Sequence, residues 1–433
     1  MPSMFVSNAR RRRRRWPLIA GAVLLLLAGG AVAAYFIFFK KEGNYSNPNA
    51  EFQNQAPKKP RPKPERFKWP IYGYTPDRAR FLDANLKPPF RKLWTFSKGH
   101  GLIEFQPVLA NRRLYYVNNG GADFAVDAKT GKKLWRRKVA SLNASSPAWS
   151  GGRIFIATLT PGTIQCLSAK NGKVIWKKAL PSRAESSPIV VNGVVYFGSE
   201  DGTVYAYKAK NGRKVWTYHA SGAVKAGLAY SNGKLYFGDY SGQVTALQAK
   251  NGARVWSTGT SGASFNRSGH FYSTPAVAFG RVYVGNTDSF VYSFVASSGQ
   301  LAWRHTTGGY VYAAPAVGTA TRVGPTVFIG SYDGNFYALD AKSGGVRWSH
   351  RDGGKISGAP TVVGNVVYYS SLGNHDTSGL DVRNGKRVWH FKHGAFNPVI
   401  SDGKRLYLTT NSTLFGLVPH QAKKPKRHRP KKR

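Results

Sequence analysis

Tryptophan recurs along this chain at steps of 40 to 47 residues, and this spacing constrains the fold more than any other feature. The eight positions are Trp94, Trp135, Trp176, Trp216, Trp256, Trp303, Trp348 and Trp389. A period of about 40 residues is longer than an ankyrin or tetratricopeptide unit and is typical of one four-stranded propeller blade. The spacing therefore predicts a repeat protein.

Each repeat contains the signals for four strands joined by three tight turns. In residues 187–218, three Asn-Gly or Asp-Gly pairs separate runs that are rich in Val, Tyr, Ile and Phe. These pairs favour two-residue hairpins because Gly and Asn tolerate the positive φ that a type I′ turn requires. The local sequence thus predicts an antiparallel meander of half-buried strands and no helical domain.

The two ends of the repeat array complement each other. Residues 91–96 supply a tryptophan strand with no three strands before it, and residues 396–419 supply three strands with no tryptophan strand after them. Pairing the ends completes an eighth blade and removes an exposed edge strand. The predicted fold class is therefore all-β: an eight-bladed β-propeller of four-stranded antiparallel blades over residues 69–419.

The end of each repeat carries a specific motif. Residues 125–135 are Ala-Val-Asp-Ala-Lys-Thr-Gly-Lys-Lys-Leu-Trp, and residues 338–348 repeat the pattern with Ser in place of Thr. This pattern resembles the tryptophan-docking repeat of PQQ-type (pyrroloquinoline quinone) propellers, which include quinoprotein dehydrogenases and non-enzymatic BamB-like assembly factors. The resemblance implies that each Trp packs between blades while Thr-Gly forms the turn. It also implies an irregular lead-in, from residue 69 to residue 89, lying across one face.

The N-terminal residues indicate a membrane anchor. Six arginines at 10–15 precede residues 16–39, which contain no charge over 24 positions. A helix of this length spans a hydrocarbon core of about 30 Å, and the arginines favour a cytoplasmic N-terminus. We expect a basic cytoplasmic segment at 1–15, a single transmembrane signal-anchor helix at 16–39 and a propeller on the extracytoplasmic side of the cell membrane. A cleaved signal peptide with a small-residue site at 31–33 is the alternative.

Two further segments are of low complexity. Proline and lysine dominate residues 40–68, which are predicted to form an extended linker, and residues 420–433 are predicted to be a disordered basic tail. The net charge of +45 favours anionic partners. Lipid headgroups and anionic wall polymer are the extracytoplasmic candidates, whereas nucleic acid belongs to another compartment. Alternatively, the lysines at the blade turns only solvate the rim.

Two insertions interrupt the period. The step from Trp256 to Trp303 is 47 residues, and the step from Trp303 to Trp348 is 45 residues. Insertions in repeat folds protrude and commonly build a binding surface, although a longer loop without a partner remains open. The candidate partner-binding residues are Phe265, Arg267, His270, Phe271, Tyr272 and Arg322.

The numbers of cysteine and acidic residues limit the cofactor chemistry that the chain could support. Resemblance to the quinoprotein dehydrogenases implies PQQ, calcium held by acidic and amide side chains, an aspartate base and often two adjacent cysteines. The chain has one cysteine, Cys166, and 19 acidic residues, and calcium needs about 6–8 converging oxygen ligands. We expect no cofactor, metal or catalytic residue. The predicted function is a membrane-anchored scaffold for an envelope or membrane protein. The alternatives are a binder or sensor of anionic cell-wall polymer and a calcium/PQQ-dependent dehydrogenase.

Overall fold

The computed structural model describes residues 21, 24–30, 43–54, 68–97, 101–260, 269–320 and 322–420, in two units. The first unit is Met1–Gly43 with Ser261–Ser268, and the second is Asn44–Thr260 with Gly269–Arg433. In the first unit, residues 21 and 24–30 are helical. Within the described ranges, no helix combines the length and the apolar character that a membrane crossing requires. Residues 1–15, 421–433 and most of the predicted 16–39 span lie outside the description, so the anchor stays a prediction.

The second unit consists of short strands, three of which precede the first complete blade: β1 (Tyr45–Ser46), β2 (Phe81–Leu82) and β3 (Phe90–Phe96). Blade one contains β4 (Val108–Ala110), β5 (Arg113–Val117), β6 (Ala122–Asp127) and β7 (Lys133–Lys138). Blade two contains β8 (Ala148–Ser150), β9 (Arg153–Thr158), β10 (Thr163–Ser168) and β11 (Val174–Ala179). Blade three contains β12 (Ile189–Val191), β13 (Val194–Gly198), β14 (Thr203–Lys208) and β15 (Lys214–His219). Blade four contains β16 (Ala229–Ser231), β17 (Lys234–Gly238), β18 (Gln243–Gln248) and β19 (Arg254–Gly259).

The remaining blades follow the same order. Blade five contains β20 (Ala276–Ala278), β21 (Arg281–Gly285), β22 (Phe290–Val295) and β23 (Leu301–Thr306). Blade six contains β24 (Ala316–Ala320), β25 (Gly324–Gly330), β26 (Asn335–Asp340) and β27 (Val346–Arg351). Blade seven contains β28 (Thr361–Val363), β29 (Val366–Ser371), β30 (Asp376–Asp381) and β31 (Arg387–Phe391). Blade eight contains β32 (Val399–Ser401), β33 (Leu406–Thr409) and β34 (Leu414–Pro419).

The ring is closed by strands from both ends of the chain. β3 pairs antiparallel with β34, so that Phe90 lies opposite Pro419 and Phe96 opposite Leu414. The order in this sheet is β3-β34-β33-β32, and each of the other blades is an antiparallel meander. The prediction of eight four-stranded antiparallel blades is therefore confirmed. Closure covers the edge of β34, which would otherwise present an unpaired row of backbone groups.

Each repeat tryptophan joins its own blade to the next. The Trp94 indole Nε1 donates a hydrogen bond to the Ala128 carbonyl at 3.2 Å, and that of Trp216 donates to the Ala249 carbonyl at 3.0 Å. The equivalent bond to the following blade is made by Trp135, Trp176, Trp256, Trp303 and Trp348. Trp389 packs edge-on against Phe90 of the closing strand, with ring centroids 5.7 Å apart. The eight indoles thus connect the blades around the ring.

The lead-in runs inside the ring, along the inner edges of the blades. Its carbonyls accept backbone hydrogen bonds from the first strands of five blades in chain order, at distances of 2.7 to 2.9 Å. The donors are Trp149, Tyr230, Val277, Val317 and Val362. In addition, the backbone of Trp69 bonds to Leu109 of blade one in both directions, and β2 pairs in parallel with β28. The expectation that this segment lies across one face is wrong, because inner edge strands need partners for their free N–H groups and the lead-in supplies them.

Two arginines of the lead-in are fully buried among the inner strands. The Arg78 guanidinium donates to the carbonyl of Leu228 at 2.8 Å, to that of Ser187 at 3.1 Å and to that of Tyr72. Arg80 lies over the Tyr72 ring, with its guanidinium carbon 3.9 Å from the centroid. Burial lowers the pKa of Arg78 to about 9, and the neighbouring Arg80 charge contributes in the same direction. Arg78 thus ties the lead-in to blades three and four.

Part of the predicted linker packs on the propeller. β1 pairs antiparallel with β23 and extends blade five to five strands. The Arg281 guanidinium donates to the carbonyls of Ala50, at 2.8 Å, and of Glu51. Phe52 stacks on Phe279 with ring centroids 5.6 Å apart. Residues 44–54 are therefore held against blade five, whereas residues 55–67 of the predicted linker lie outside the description.

We expect two separate reasons for glycine at the turn of the repeat motif: its positive φ, and the lack of space for a side chain. Gly252 has a φ of 75°, and a Cβ there would lie 2.7 Å from the Trp216 ring. Gly233 has a φ of 77°, but a Cβ added there would have no other atom within 4 Å. Gly233→Ala should cost about 1–2 kcal/mol through the left-handed backbone alone. Gly252→Ala should cost roughly 1–3 kcal/mol more, because the added methyl displaces the indole.

Thermal unfolding followed by circular dichroism would compare the two variants. Equal losses of stability would show that backbone conformation, and not contact with Trp216, explains the glycine.

A buried carboxyl lies in blade one. Asp123 is fully buried in β6, at the repeat position that Val204, Val244 and Val291 occupy in other blades. Neither of its oxygens has a hydrogen-bond partner of normal geometry among the residues that the structure describes. Burial raises its pKa well above the usual range. The folded state therefore retains a proton on Asp123 at pH values where the unfolded chain has lost it.

Asp123→Val is expected to stabilise the protein, by about 1–3 kcal/mol at pH 8 and by less at pH 4.5. Above the unfolded pKa of about 3.9, the folded wild type binds the extra proton, so its free energy of unfolding falls as pH rises. Valine removes that dependence. Denaturant unfolding at both pH values checks the sign. Asp123→Asn is the control, which should lose the pH dependence while keeping a buried polar group; an equal gain for Asp123→Val at both pH values would contradict the titration.

Candidate partner-binding site

The alternating strand direction gives the ring two faces. We call one the motif face; it carries the turns between first and second strands and between third and fourth strands, including the Thr-Gly motif. We call the other the link face; it carries the turns between second and third strands and the links from blade to blade. Because loops of each type lie on one face only, the position of a residue in its repeat decides the surface to which it belongs.

The two sequence insertions lie on different faces. His270 and Tyr272 belong to the link between blades four and five, on the link face. Arg322 lies in the turn between β24 and β25, on the motif face, where it is exposed and has a φ of 65°. Phe265 and Arg267 lie outside the described residues. The predicted candidates therefore do not form one continuous surface.

Phe271 is a core residue. It is fully buried and occupies the repeat position of Val224, Val311 and Ile356, which are also fully buried. Its ring packs where a side chain on Gly238 would have to go. Phe271 is therefore not available to a partner, although its neighbours in sequence are exposed. Alignment of the repeats identifies it as core, whereas the composition of the loop suggested a surface residue.

Tyrosines from blades four to six form a continuous surface on the link face, which we call the aromatic track. Tyr240 contacts Tyr272 with ring centroids 4.7 Å apart, and Tyr272 contacts Tyr312 at 5.2 Å. Tyr312 in turn contacts Tyr310 at 6.0 Å and Tyr332 at 4.7 Å. Tyr272 is 40% exposed and Tyr310 is 52% exposed. The track thus offers accessible aromatic area that spans three blades.

A lysine lies over each end of the aromatic track. The Lys225 Nζ is 5.4 Å from the centroid of the Tyr240 ring, and the Lys355 Nζ is 5.6 Å from that of Tyr332. Both distances are within the range of cation–π attraction. The track therefore has an apolar middle and a positive charge at each end.

Lys225 also bridges two carboxylates. Its Nζ is 3.1 Å from a carboxylate oxygen of Glu185 and 3.1 Å from one of Glu200, and each of the three side chains is about one-fifth exposed. Burial raises the pKa of Glu185, and Glu200 adds to this effect. Burial also opposes ionisation of Glu200, but hydrogen bonds with Glu185 and Lys225 outweigh it and lower that pKa. The ion pairs fix the position of Lys225 over the track.

His270 and Tyr272 are the predicted candidates that the structure places at this surface. The His270 ring stacks on Tyr240 at 4.8 Å, and its Nδ1 lies 2.6 Å from the Tyr240 carbonyl. The sequence analysis missed the other four members of the track: Tyr240, Tyr310, Tyr312 and Tyr332. A repeat alignment carries the signal, since Tyr272 and Tyr312 share one link position and Tyr240 and Tyr332 share one turn position.

Resemblance to the quinoprotein dehydrogenases implies ligands for a quinone and for calcium, and the described residues can be searched for them. Among the described residues, no three His, Cys, Asp or Glu side chains are grouped so that they could hold a metal ion together. Cys166 is buried in β10, where burial raises its pKa to about 11. With a single cysteine, the chain cannot form the adjacent cysteine pair of that branch.

Comparison with solved structures identifies similar folds. BamB from Moraxella catarrhalis is 16% identical, with a TM-score of 0.63 over 78% of this chain and 100% of that one. A europium-containing methanol dehydrogenase is 14% identical, with a TM-score of 0.69 over 82% of this chain and 98% of that one. The computationally designed Ika8 protein is 15% identical, with a TM-score of 0.65 over 76% of this chain and 99% of that one. At these identities, the likeness concerns the fold alone.

Comparison of the sequence with family models identifies the family. No curated protein matches the chain. The model of the family described as outer membrane protein assembly factor BamB matches residues 91–160, 118–316 and 287–421. These matches extend over nearly all of the ring, and they confirm the resemblance given by the repeat motif. This chain therefore belongs to the BamB family of PQQ-type β-propellers.

Proposed function

We propose that this protein is a membrane-anchored, extracytoplasmic scaffold that binds an envelope or membrane protein through the aromatic track. The observation that carries the proposal is the contiguity of five tyrosines on one face, of which Tyr272 and Tyr310 are well exposed. Tyrosine is enriched at interface hot spots because it supplies a large contact area and a polar group with few rotatable bonds.

The turns that carry the track support recognition by a preformed surface. The Asp333 carboxylate accepts hydrogen bonds from the backbone of Gly308 at 2.7 Å and of Asn335 at 2.8 Å, and from the Tyr337 hydroxyl at 2.7 Å. These bonds hold the link that precedes Tyr310 against the turn that contains Tyr332. A surface that is already ordered loses less conformational entropy when it binds.

The family supports a binding function. The family is described as an assembly factor for outer membrane proteins, which is a role exerted on other proteins. The fold does not decide the matter, because a methanol dehydrogenase and a designed protein share it. The donor set of the described residues favours non-covalent recognition over a calcium-dependent oxidation. We therefore assign no catalytic residue.

The membrane anchor in this proposal rests on residues 16–39 and on the six arginines before them. A propeller held close to the bilayer would meet its partner at a high effective concentration.

Photocrosslinking in cells tests the partner. The full chain would carry a photoreactive residue at position 272 or 310, with position 170, on the motif face, as the control. We expect positions 272 and 310 to capture the same envelope or membrane protein and position 170 not to capture it. Capture of that protein from all three positions, or of no protein from the first two, would refute binding by the track.

Substitution of the track should weaken the captured interaction. Tyr272→Ala and Tyr310→Ala should each reduce affinity by about 5- to 30-fold, equivalent to roughly 1–2 kcal/mol, because each removes exposed aromatic area from the centre of the surface. Tyr45→Ala is the matched control, since Tyr45 is 45% exposed and lies outside the track, in β1. Affinity would be measured with the purified partner. A similar loss from Tyr45→Ala would contradict the proposal.

A further inference from the structure

Charge is distributed unequally between the two faces. Between the strands of the motif face, the described turns contain fourteen Lys or Arg residues and one acidic residue, Asp402. The described turns and links of the link face contain four Lys or Arg residues and eight Asp or Glu residues. Of the two faces, the motif face, opposite the aromatic track, therefore carries the basic excess of the turns.

Six of these cations occupy one repeat position, in the turn between the third and fourth strands, and all six are exposed. They are Lys129, Lys170, Lys210, Lys250, Lys342 and Arg383. Arg383 pairs with Asp381, whereas no ion pair forms at the five lysines within the described part of the chain. Because the blades are related by rotation about the ring axis, these lysines form an arc of regularly repeated, uncompensated charge.

The turns hold the arc in place. Asn171, Asn211 and Asn251 each accept a backbone hydrogen bond, at 3.1 Å, from the residue two positions further on. The glycine that follows each asparagine is covered by a repeat tryptophan. The backbone that carries Lys170, Lys210 and Lys250 is therefore fixed to the blade interface, although the lysine side chains reach into solvent.

In the proposed extracytoplasmic location, the anions that this face would meet are wall polymer and lipid headgroups. We propose that the motif face binds an anionic wall polymer that carries a phosphodiester in each repeating unit, through the lysine arc. A repeating polyanion matches a repeating series of cations, and release of its counterions drives such binding. The choice of a polymer over lipid headgroups rests on this match of repeats, and the compartment rests on the proposed function. The face itself is distinct from the aromatic track, so the protein would hold wall polymer on one side and a protein partner on the other.

Binding of the full-length protein in detergent to poly(glycerol phosphate) tests this proposal, with vesicles of phosphatidylglycerol as the second probe. The triple variant Lys170→Glu, Lys210→Glu, Lys250→Glu should weaken polymer binding at least tenfold. The dependence of log affinity on log salt concentration should become shallower by about 2, as expected for three lost phosphate contacts. The control triple Lys138→Glu, Lys177→Glu, Lys178→Glu makes the same charge change at exposed positions of the outer strands that are further from the motif face, and it should weaken binding less than threefold.

Two outcomes would overturn the proposal. Equal loss in both triple variants would show a response to net charge without a site. Tight binding to the vesicles without binding to the polymer would assign the face to a lipid surface. Circular dichroism would check that each triple variant is folded. Photocrosslinking from position 272 in the motif-face triple should still capture the protein partner, so that failure of polymer binding and failure of the proposed scaffold function are distinguishable.

Discussion

The contact between a tryptophan and the turn glycine of the next blade is the interaction on which this structure depends. Seven of the eight repeat indoles, all except that of Trp389, cover a glycine that has no side chain to displace them and donate a hydrogen bond to a neighbouring carbonyl, as Trp216 does over Gly252. Repetition makes the ring a series of nearest-neighbour interfaces, so stability accumulates from one blade to the next. The same turns also present the lysines of the motif face, which links the structural repeat to the proposed polyanion surface.

The lead-in provides hydrogen-bond partners for the inner strands of the ring. Inner strands have backbone N–H groups without a neighbouring strand, and the lead-in bonds to them at one repeat position in blades one, two and four to seven. Arg78 adds side-chain bonds to carbonyls that the backbone does not reach. The interior is thus occupied by the protein's own chain, and the surfaces left for partners are the two faces, which differ in charge and in aromatic content.

The sequence predicts features that repeat and misses contacts between segments that are far apart in the chain and carry no repeat signal. Spaced tryptophans and Asn-Gly turns suffice for the blades and for the pairing of β3 with β34. The path of the lead-in has no periodic signal, because its partners are backbone groups of distant blades. The aromatic track escapes detection since Tyr240, Tyr272 and Tyr332 come from separate loops. Phe271 shows the opposite error: a residue in a conspicuous insertion belongs to the core, because its position in the repeat points inward.

The closing blade also imposes an order on folding. β3 is among the first strands of the propeller to be made and β34 is the last, so their ladder cannot form until the rest of the ring has been synthesised. The lead-in emerges before any blade, and its contacts follow the blades in chain order. The inner strands that bond to the lead-in therefore find their partner already synthesised. Assembly can proceed blade by blade along the lead-in, and the long-range closure, which is the slowest kind of contact to form, comes last.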